Sequence, residues 1–226
     1  MTAVLAIETS TPACSVALNL GERLISRYSE EPRSHTRLVM SMVDEVLKEA
    51  GIKATALNGL AVTLGPGSFT GLRIGFAAVQ GLAFGLELPV VAISTLQVMA
   101  ETAVRKQGLS YGLVIVAVLD ARMGEFNCGC YRLEENGHLS AMKDDQLLNA
   151  EEALKLINGY EHCVVVGEAA ALELPTFINV YPDALDLLKI AQRGFVTDLA
   201  RPIDEIELVY LRGADAWQKR KRIRIV

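Results

Sequence analysis

The chain has 226 residues, 51% hydrophobic, 22% charged and 6% aromatic, which excludes a disordered or fibrous protein and demands a core built from aliphatic side chains. At roughly 150 residues per domain this is one large domain or two small ones. The net charge of −5 hides an asymmetry. Residues 211–226 carry Arg212, Lys219, Arg220, Lys221, Arg222 and Arg224 against Asp215 alone, so this segment is +5 and the rest −10. A body that acidic excludes general binding of phosphate backbones, leaving a local contact or one made through a partner.

Residues 3–9 form an apolar run that predicts a buried strand, followed by a Ser-Thr-Pro turn. Alternation from Cys14 to Leu20 and again from Leu24 to Tyr28 extends this into a three-strand meander. Ser34 is placed to cap a helix ending near Ala50, with Gly51 as its stop. A strand over Leu57–Leu64, the turn Gly65-Pro66-Gly67 and a helix from Phe69 to about Leu86 follow. Then come a strand over Val90–Ile93 and a helix from Ser94 to about Lys106. After Gly108 the order begins again: Leu113–Asp120 as a buried strand, a turn over residues 121–124, and Glu125–Arg132 as an alternating strand. A helix at about 150–158, a strand over Cys163–Val166 and a helix near 184–193 complete the chain. Glu8 and Asp120 fall at matching places in the two halves. The shared order predicts a duplicated α/β architecture with an N-terminal lobe over 1–106, a smaller lobe over 107–206 and a C-terminal segment over 207–226.

Four cysteines (Cys14, Cys128, Cys130, Cys163) are too sparse for a disulfide framework. The residues before Glu8 lack the basic start of a secretory signal, and no clean apolar run reaches the ~18 residues of a membrane span. The expectation is a reduced cytoplasmic protein with no membrane contact.

The stretch Gly65 to Gly75 (GPGSFTGLRIG) is the most distinctive in the sequence. It reads either as a tight strand-to-helix turn or as an anion cradle at a helix N-terminus, although it lacks the lysine and spacing of a P-loop. In the helix that follows, Gly71, Gly75, Ala78, Gly81 and Gly85 share one ~120° arc. Glycine in a helix interior costs roughly 1 kcal/mol against alanine, so this smooth stripe predicts close approach of another backbone. On the preceding helix Val39, Met42, Val43 and Val46 cluster, and Leu38, Met40 and Leu47 widen the apolar arc to ~200°. That exceeds the ~100° of a surface helix and suggests two packed faces, one of them for a partner, or burial between layers. Val39, Met40, Met42, Val43, Val46, Leu47, Gly71, Arg73, Ile74, Gly75 and Ala78 lie on these two helices and are the residues a partner contact there would involve, a placement that the family resemblance given below implies.

Catalytic constellations are absent from the sequence pattern. The histidines His35, His138 and His162 form no metal-binding pair, and no G-x-S-x-G elbow exists. Cys128 and Cys130 share a strand face and read as small buried residues. Glu8 and Asp120, each closing a predicted strand, are the best polar candidates, since ligands of open α/β sheets gather beyond such ends. Asp120, Arg122 and Glu125 read alternatively as a structural hairpin network.

These motifs together resemble the bacterial TsaB (YeaZ) family: Leu5-Ala-Ile-Glu-Thr-Ser-Thr, Cys14-Ser-Val-Ala-Leu, the Gly65–Gly75 stretch, Gln80-Gly-Leu-Ala-Phe-Gly, Ser94-Thr-Leu, Asp120-Ala-Arg-Met-Gly-Glu125 and Val209-Tyr-Leu-Arg212. The likeness is dense from residue 2 to about 131, looser to 206, and returns at 209–217. It implies an actin-like ATPase (sugar kinase/Hsp70/actin) fold with two related lobes, each a mixed sheet flanked by helices. It implies a non-catalytic role in making N6-threonylcarbamoyladenosine in tRNAs that read codons beginning with A. The implied partner is TsaD, which holds the metal and transfers the threonylcarbamoyl group, with the ATPase TsaE joining the assembly. The same resemblance places the TsaD contact, or a homodimer when TsaD is absent, on the first two long helices. It implies no intrinsic metal or cofactor, with ATP or ADP conceivable only at the partner interface or at Glu8, Ser10, Thr11, Asp120, Arg122 and Glu125. Lys219–Arg224 are candidates for touching tRNA within the complex. An M22-like peptidase or a stand-alone ATPase is the alternative the wider family offers.

Overall fold

The computed structural model describes residues 3–212. The basic tail Lys219–Arg224 lies outside the described residues. The first sheet contains β1 (Ala3–Glu8), β2 (Cys14–Leu20), β3 (Arg23–Ser29), β4 (Gly59–Gly65) and β5 (Val90–Ser94) in the order β3-β2-β1-β4-β5. β1, β2 and β3 pair antiparallel, as short turns require; β4 and β5 run parallel to β1 because a helix crosses over before each. The crossovers are α1 (His35–Ala50) and α2 (Phe69–Leu86), and α3 (Thr95–Gln107) leads out of the sheet.

The second sheet repeats this plan in shorter form. β6 (Val114–Asp120), β7 (Glu125–Leu133) and β8 (Leu139–Ala141) are antiparallel neighbours, and β10 (Cys163–Gly167) runs parallel to β6. A further strand, β9 (Gln146–Asn149), pairs with the near end of β7. α4 (Ala150–Asn158) opens on a full capping box in which Asn149 and Glu152 satisfy each other's backbone. Two mixed sheets of this kind make the actin-like ATPase fold with two related lobes.

The lobes share more than the linear division at 106 and 206 anticipates. α3 lies between the sheets: Leu96, Met99 and Ala103 pack on β6 and β7, while Val98 joins the core of the first sheet. α5 (Ala184–Val196) then returns to the first sheet, where Ala184, Leu187, Leu188 and Ala191 pack on Val4, Ala6, Ala61 and Val91. The smaller lobe therefore ends near residue 182 in space, because an amphipathic helix settles on whichever apolar sheet face remains bare. Arg105 of α3 fixes the return, donating to both carboxylate oxygens of the buried Asp186 (2.8 and 3.0 Å) and to Asp183 (2.8 Å).

Two local expectations change. Ser34 sits at the start of α1 but its hydroxyl donates to Glu31 O (2.6 Å) and caps nothing. α2, interrupted by Arg73 and Gln80, is nonetheless long and apolar enough to cross a membrane by length and composition; it packs its inner side on β4 and α1. A search for unbroken apolar runs passes over such a helix.

Candidate functional site

α1 is apolar on one side only. Val39, Met42, Val43, Val46 and Leu47 are all buried, in one cluster with β1, β2 and α2 residues, and Leu38 leans on the same cluster. Its two packed faces are the sheet and α2 within the same chain. The opposite side carries Arg37, Asp44, Glu45, Lys48 and Glu49, with Glu45 and Glu49 paired to Arg27 of β3 (2.9 and 2.7 Å). Met40, 48% exposed, is the one apolar α1 side chain of the predicted set that faces solvent.

The glycine stripe of α2 divides along its length. A Cβ on Gly71 would stand 2.1 Å from Thr9 O, and one on Gly75 2.2 Å from Thr9 Oγ1, so the backbone that approaches here is the β1–β2 turn of the same lobe. Thr9 locks that contact by donating its hydroxyl to Gly71 O (2.8 Å). Gly67 serves the same turn: its Cα faces Ser10 O, which accepts from Ser68 N (2.7 Å). Gly81 and Gly85, further along, meet nothing within 4 Å. They belong to an outer face with Phe69 (54% exposed), Arg73, Ala77 and Phe84 (59% exposed), edged by the half-buried Ile74 and Ala78. Spaced at 100° per residue, Phe69, Arg73, Ala77, Gly81 and Phe84 fall within a ~120° arc. A helix this apolar, with so much of that face in water, is an unpartnered surface.

The cleft candidates form two separate clusters. In the first lobe Glu8 is fully buried, and its Oε1 accepts from Ser10 N (2.6 Å) and Ser10 Oγ (2.5 Å). Burial pushes its carboxyl above the usual range, opposed by the hydroxyls of Ser10 and Thr63 and by His35. His35 Nε2 lies 2.9 Å from Thr11 O and 3.1 Å from Ala13 O; two carbonyl partners require that this nitrogen carry the proton. In the second lobe Asp120 accepts from Arg122 N (2.7 Å), and Ala121 N donates to Glu125 O (2.9 Å). Arg122 and Met123 both stand at positive φ (67° and 61°) ahead of Gly124 (77°), a turn that non-glycine residues enter at a cost of roughly 1 kcal/mol each. Arg212 holds it by donating to Arg122 O (3.0 Å) and pairing with Glu125. The hairpin-network reading of Asp120, Arg122 and Glu125 describes this geometry, with Arg212 as a fourth member.

A family model described as "TsaD: tRNA N6-adenosine threonylcarbamoyltransferase" matches residues 29–203. The chain is 37% identical over 227 residues to "tRNA threonylcarbamoyladenosine biosynthesis protein TsaB" of Escherichia coli (strain K12), spanning 96% of this chain and 97% of that one. The protein of the same name from Haemophilus influenzae is 36% identical over 232 residues, 96% of each chain. Among solved structures, "YeaZ from Pseudomonas aeruginosa" superposes with a TM-score of 0.84 at 34% identity, covering 93% of this chain and 100% of that one. The chain belongs to the TsaB (YeaZ) family.

Actin-like ATPases grip nucleotide phosphates with glycine-rich hairpins, and the residues of this TsaB-family chain do not fit that role. The N–H groups of Ser10, Ala121 and Arg122 are already bonded within their own hairpins. Glu8, Ser10 and Thr11 lie at the first hairpin and Asp120, Arg122 and Glu125 at the second, with no hydrogen bond or ion pair between the two groups among the described residues. Of the predicted interface residues, Val39, Met42, Val43, Val46, Leu47, Gly71 and Gly75 are interior, because the apolar excess read as a partner face is consumed by α1–α2 and α2–β1 packing. Met40, Arg73, Ile74 and Ala78 reach the surface. The sequence reasoning missed Phe69, Ala77 and Phe84; their common helical arc was the available signal.

Cys128 and Cys130 are buried on the β7 face under α4, where burial raises the Cys128 thiol to about 12. All four cysteines are free. A further cluster escaped the sequence altogether. Asp145, in the loop before β9, accepts from Ser94 Oγ (2.5 Å) at the start of α3 and from Tyr131 OH (2.9 Å) on β7. Ser94 simultaneously caps α3 by accepting from Leu96 N (3.1 Å).

Proposed function

We propose that this chain is a non-catalytic subunit of the machinery that makes N6-threonylcarbamoyladenosine in tRNA, and that it acts by binding and activating a TsaD-type transferase. The names of its relatives place them in that biosynthesis. The observation that carries the partner role is the outer face of α2, a largely apolar face from Phe69 to Phe84, broken by Thr70, Arg73 and Gln80, whose glycine and alanine centre suits close packing of a second helix. The self-bonded hairpins support the absence of chemistry in this chain. TsaE joins through the resulting pair, and tRNA meets the assembly chiefly on the transferase. In the absence of TsaD the same strip pairs two copies of this chain.

Reconstitution tests the reading. Purified TsaD and TsaE with threonylcarbamoyl-adenylate and unmodified tRNA are expected to yield modified tRNA only when this chain is added. Full modification without it would sink the proposal. The interface is tested with Gly81→Arg, at a position open to solvent, and not with Gly75 or Val43, whose substitution attacks the core.

A further inference from the structure

The outer face of α2 is broken by the uncharged Thr70 and Gln80 and carries one charge within the helix. Arg73 stands between Phe69 and Ala77 on the exposed side of the helix. Its guanidinium lies 3.6 Å from the centroid of the Phe69 ring and 5.9 Å from that of Tyr210, and the two rings are themselves 5.6 Å apart. Among the described residues Arg73 has neither an acidic partner nor a side-chain hydrogen bond. Arg27, Arg105 and Arg212 by contrast are each claimed by carboxylates: Arg27 by Glu45 and Glu49, Arg105 by Asp183 and Asp186, Arg212 by Glu125. Stacking fixes the plane of the Arg73 fork while leaving its N–H edges open.

That combination has a consequence when a partner covers the strip. The guanidinium is then withdrawn from water, and an uncompensated charge in an apolar contact is strongly unfavourable. A carboxylate on the partner both removes that cost and matches the planar fork with two parallel hydrogen bonds. We propose that Arg73 is the anchor of the α2 face and receives a carboxylate from the TsaD-type partner; this rests on the reading of that face as the TsaD contact.

The chain also holds the anchor in place from its far end. Val209 N donates to Leu64 O (2.9 Å), which lays the segment across the start of α2 and sets Tyr210 against Phe69 and Arg73. Two residues on, Arg212 clamps the Arg122–Glu125 hairpin of the other lobe. The segment thus completes the stack around Arg73 and secures it at both ends. Tyrosine, phenylalanine and arginine are the residue types that dominate interface energetics, and here they are gathered at one point.

The test measures binding of the full chain to purified TsaD by calorimetry across a series of salt concentrations. Arg73→Met keeps the stacked, apolar bulk and removes the charge; it is expected to weaken binding about tenfold or more and to flatten the salt dependence. Arg73→Lys keeps the charge but loses the fork and is expected to fall between the two. Arg212→Ala leaves Arg73 intact and is expected to weaken binding several-fold. Circular dichroism checks that each variant retains its helices. Binding of Arg73→Met at wild-type strength and salt slope overturns the anchor. A change confined to self-association, with TsaD binding untouched, assigns the anchor to a second copy and also overturns it. If the unsubstituted chain does not bind TsaD at all, the reading of the face itself is what fails.

Discussion

Gly75 and Gly81 lie on the same helix and in the same arc, yet they should respond to alanine with opposite signs. At Gly81 a Cβ meets nothing within 4 Å, so the substitution collects the helix preference of alanine over glycine, about 1 kcal/mol. For a chain of this length that corresponds to a rise in Tm of roughly 2–4 °C. At Gly75 the same preference is overwhelmed. The new Cβ would lie 2.2 Å from Thr9 Oγ1, and Thr9 is only 2% exposed, so it has nowhere to go. Displacing it breaks the bond from its hydroxyl to Gly71 O, worth about 1 kcal/mol, on top of about 1–3 kcal/mol of overpacking. After the propensity gain is subtracted, Gly75→Ala should lose about 1–3 kcal/mol. Urea unfolding followed by far-ultraviolet circular dichroism gives both numbers from matched curves. A Gly75→Ala protein as stable as the parent, or a Gly81→Ala protein less stable, would refute the division of the helix into an inward half and an open half.

Phe84→Asp should leave stability within about 0.5 kcal/mol of the parent, since the side chain is exposed, while abolishing co-purification with TsaD; retained pulldown at wild-type yield would count against the α2 face. Glu8 has its carboxyl raised by burial, so ionising it costs more in the fold than in the unfolded chain, and its contribution to stability declines as pH rises through that raised value. Glu8→Gln should remove this decline, making the variant gain on the parent as pH rises above 4.5; parallel stability-against-pH curves would refute it. Asp145→Ala leaves the hydroxyls of Ser94 and Tyr131 without their acceptor and should cost about 2–4 kcal/mol. Amide exchange at the start of α3 should quicken in that variant, and unchanged exchange there would show that Asp145 does not hold the lobes.

The order of elements was legible because strands and helices write their own period. β2 and α2 fall where alternation and the glycine turn put them, and the repeat of the plan after Gly108 announced the second lobe. Partnership was not legible. The apolar arc of α1 is the same whether it faces a sheet, a neighbouring helix or another protein, and only the coordinates assign it to β2, β3 and α2. The same ambiguity let α5 be counted with the lobe it follows in sequence when it packs on the other. Asp145 meets Ser94 across 51 positions and Arg105 meets Asp186 across 81, separations at which no local pattern survives. Glycine marked the close approaches correctly in kind, but a glycine tolerates an adjacent backbone and open water equally well. Gly71 and Gly81 are therefore indistinguishable until the neighbours are placed.

Three polar groupings hold the two lobes together. Ser94, Tyr131 and Asp145 join the start of α3 to the second sheet. Arg105 joins the end of α3 to the helix that returns to the first sheet. Arg212 ties the end of the described chain to the second hairpin after Val209 has tied it to β4. Each of these bonds resists a change in the relative placement of the two sheets. In the two hairpins the N–H groups of Ser10 and Arg122 are bonded to the carboxylates of Glu8 and Asp120. What such a chain can do well is present one rigid surface, because a face held by a fixed frame loses little entropy when a partner covers it. On the reading proposed above, the exposed face of α2, with Arg73 stacked near its start, is the surface such a frame would hold in place.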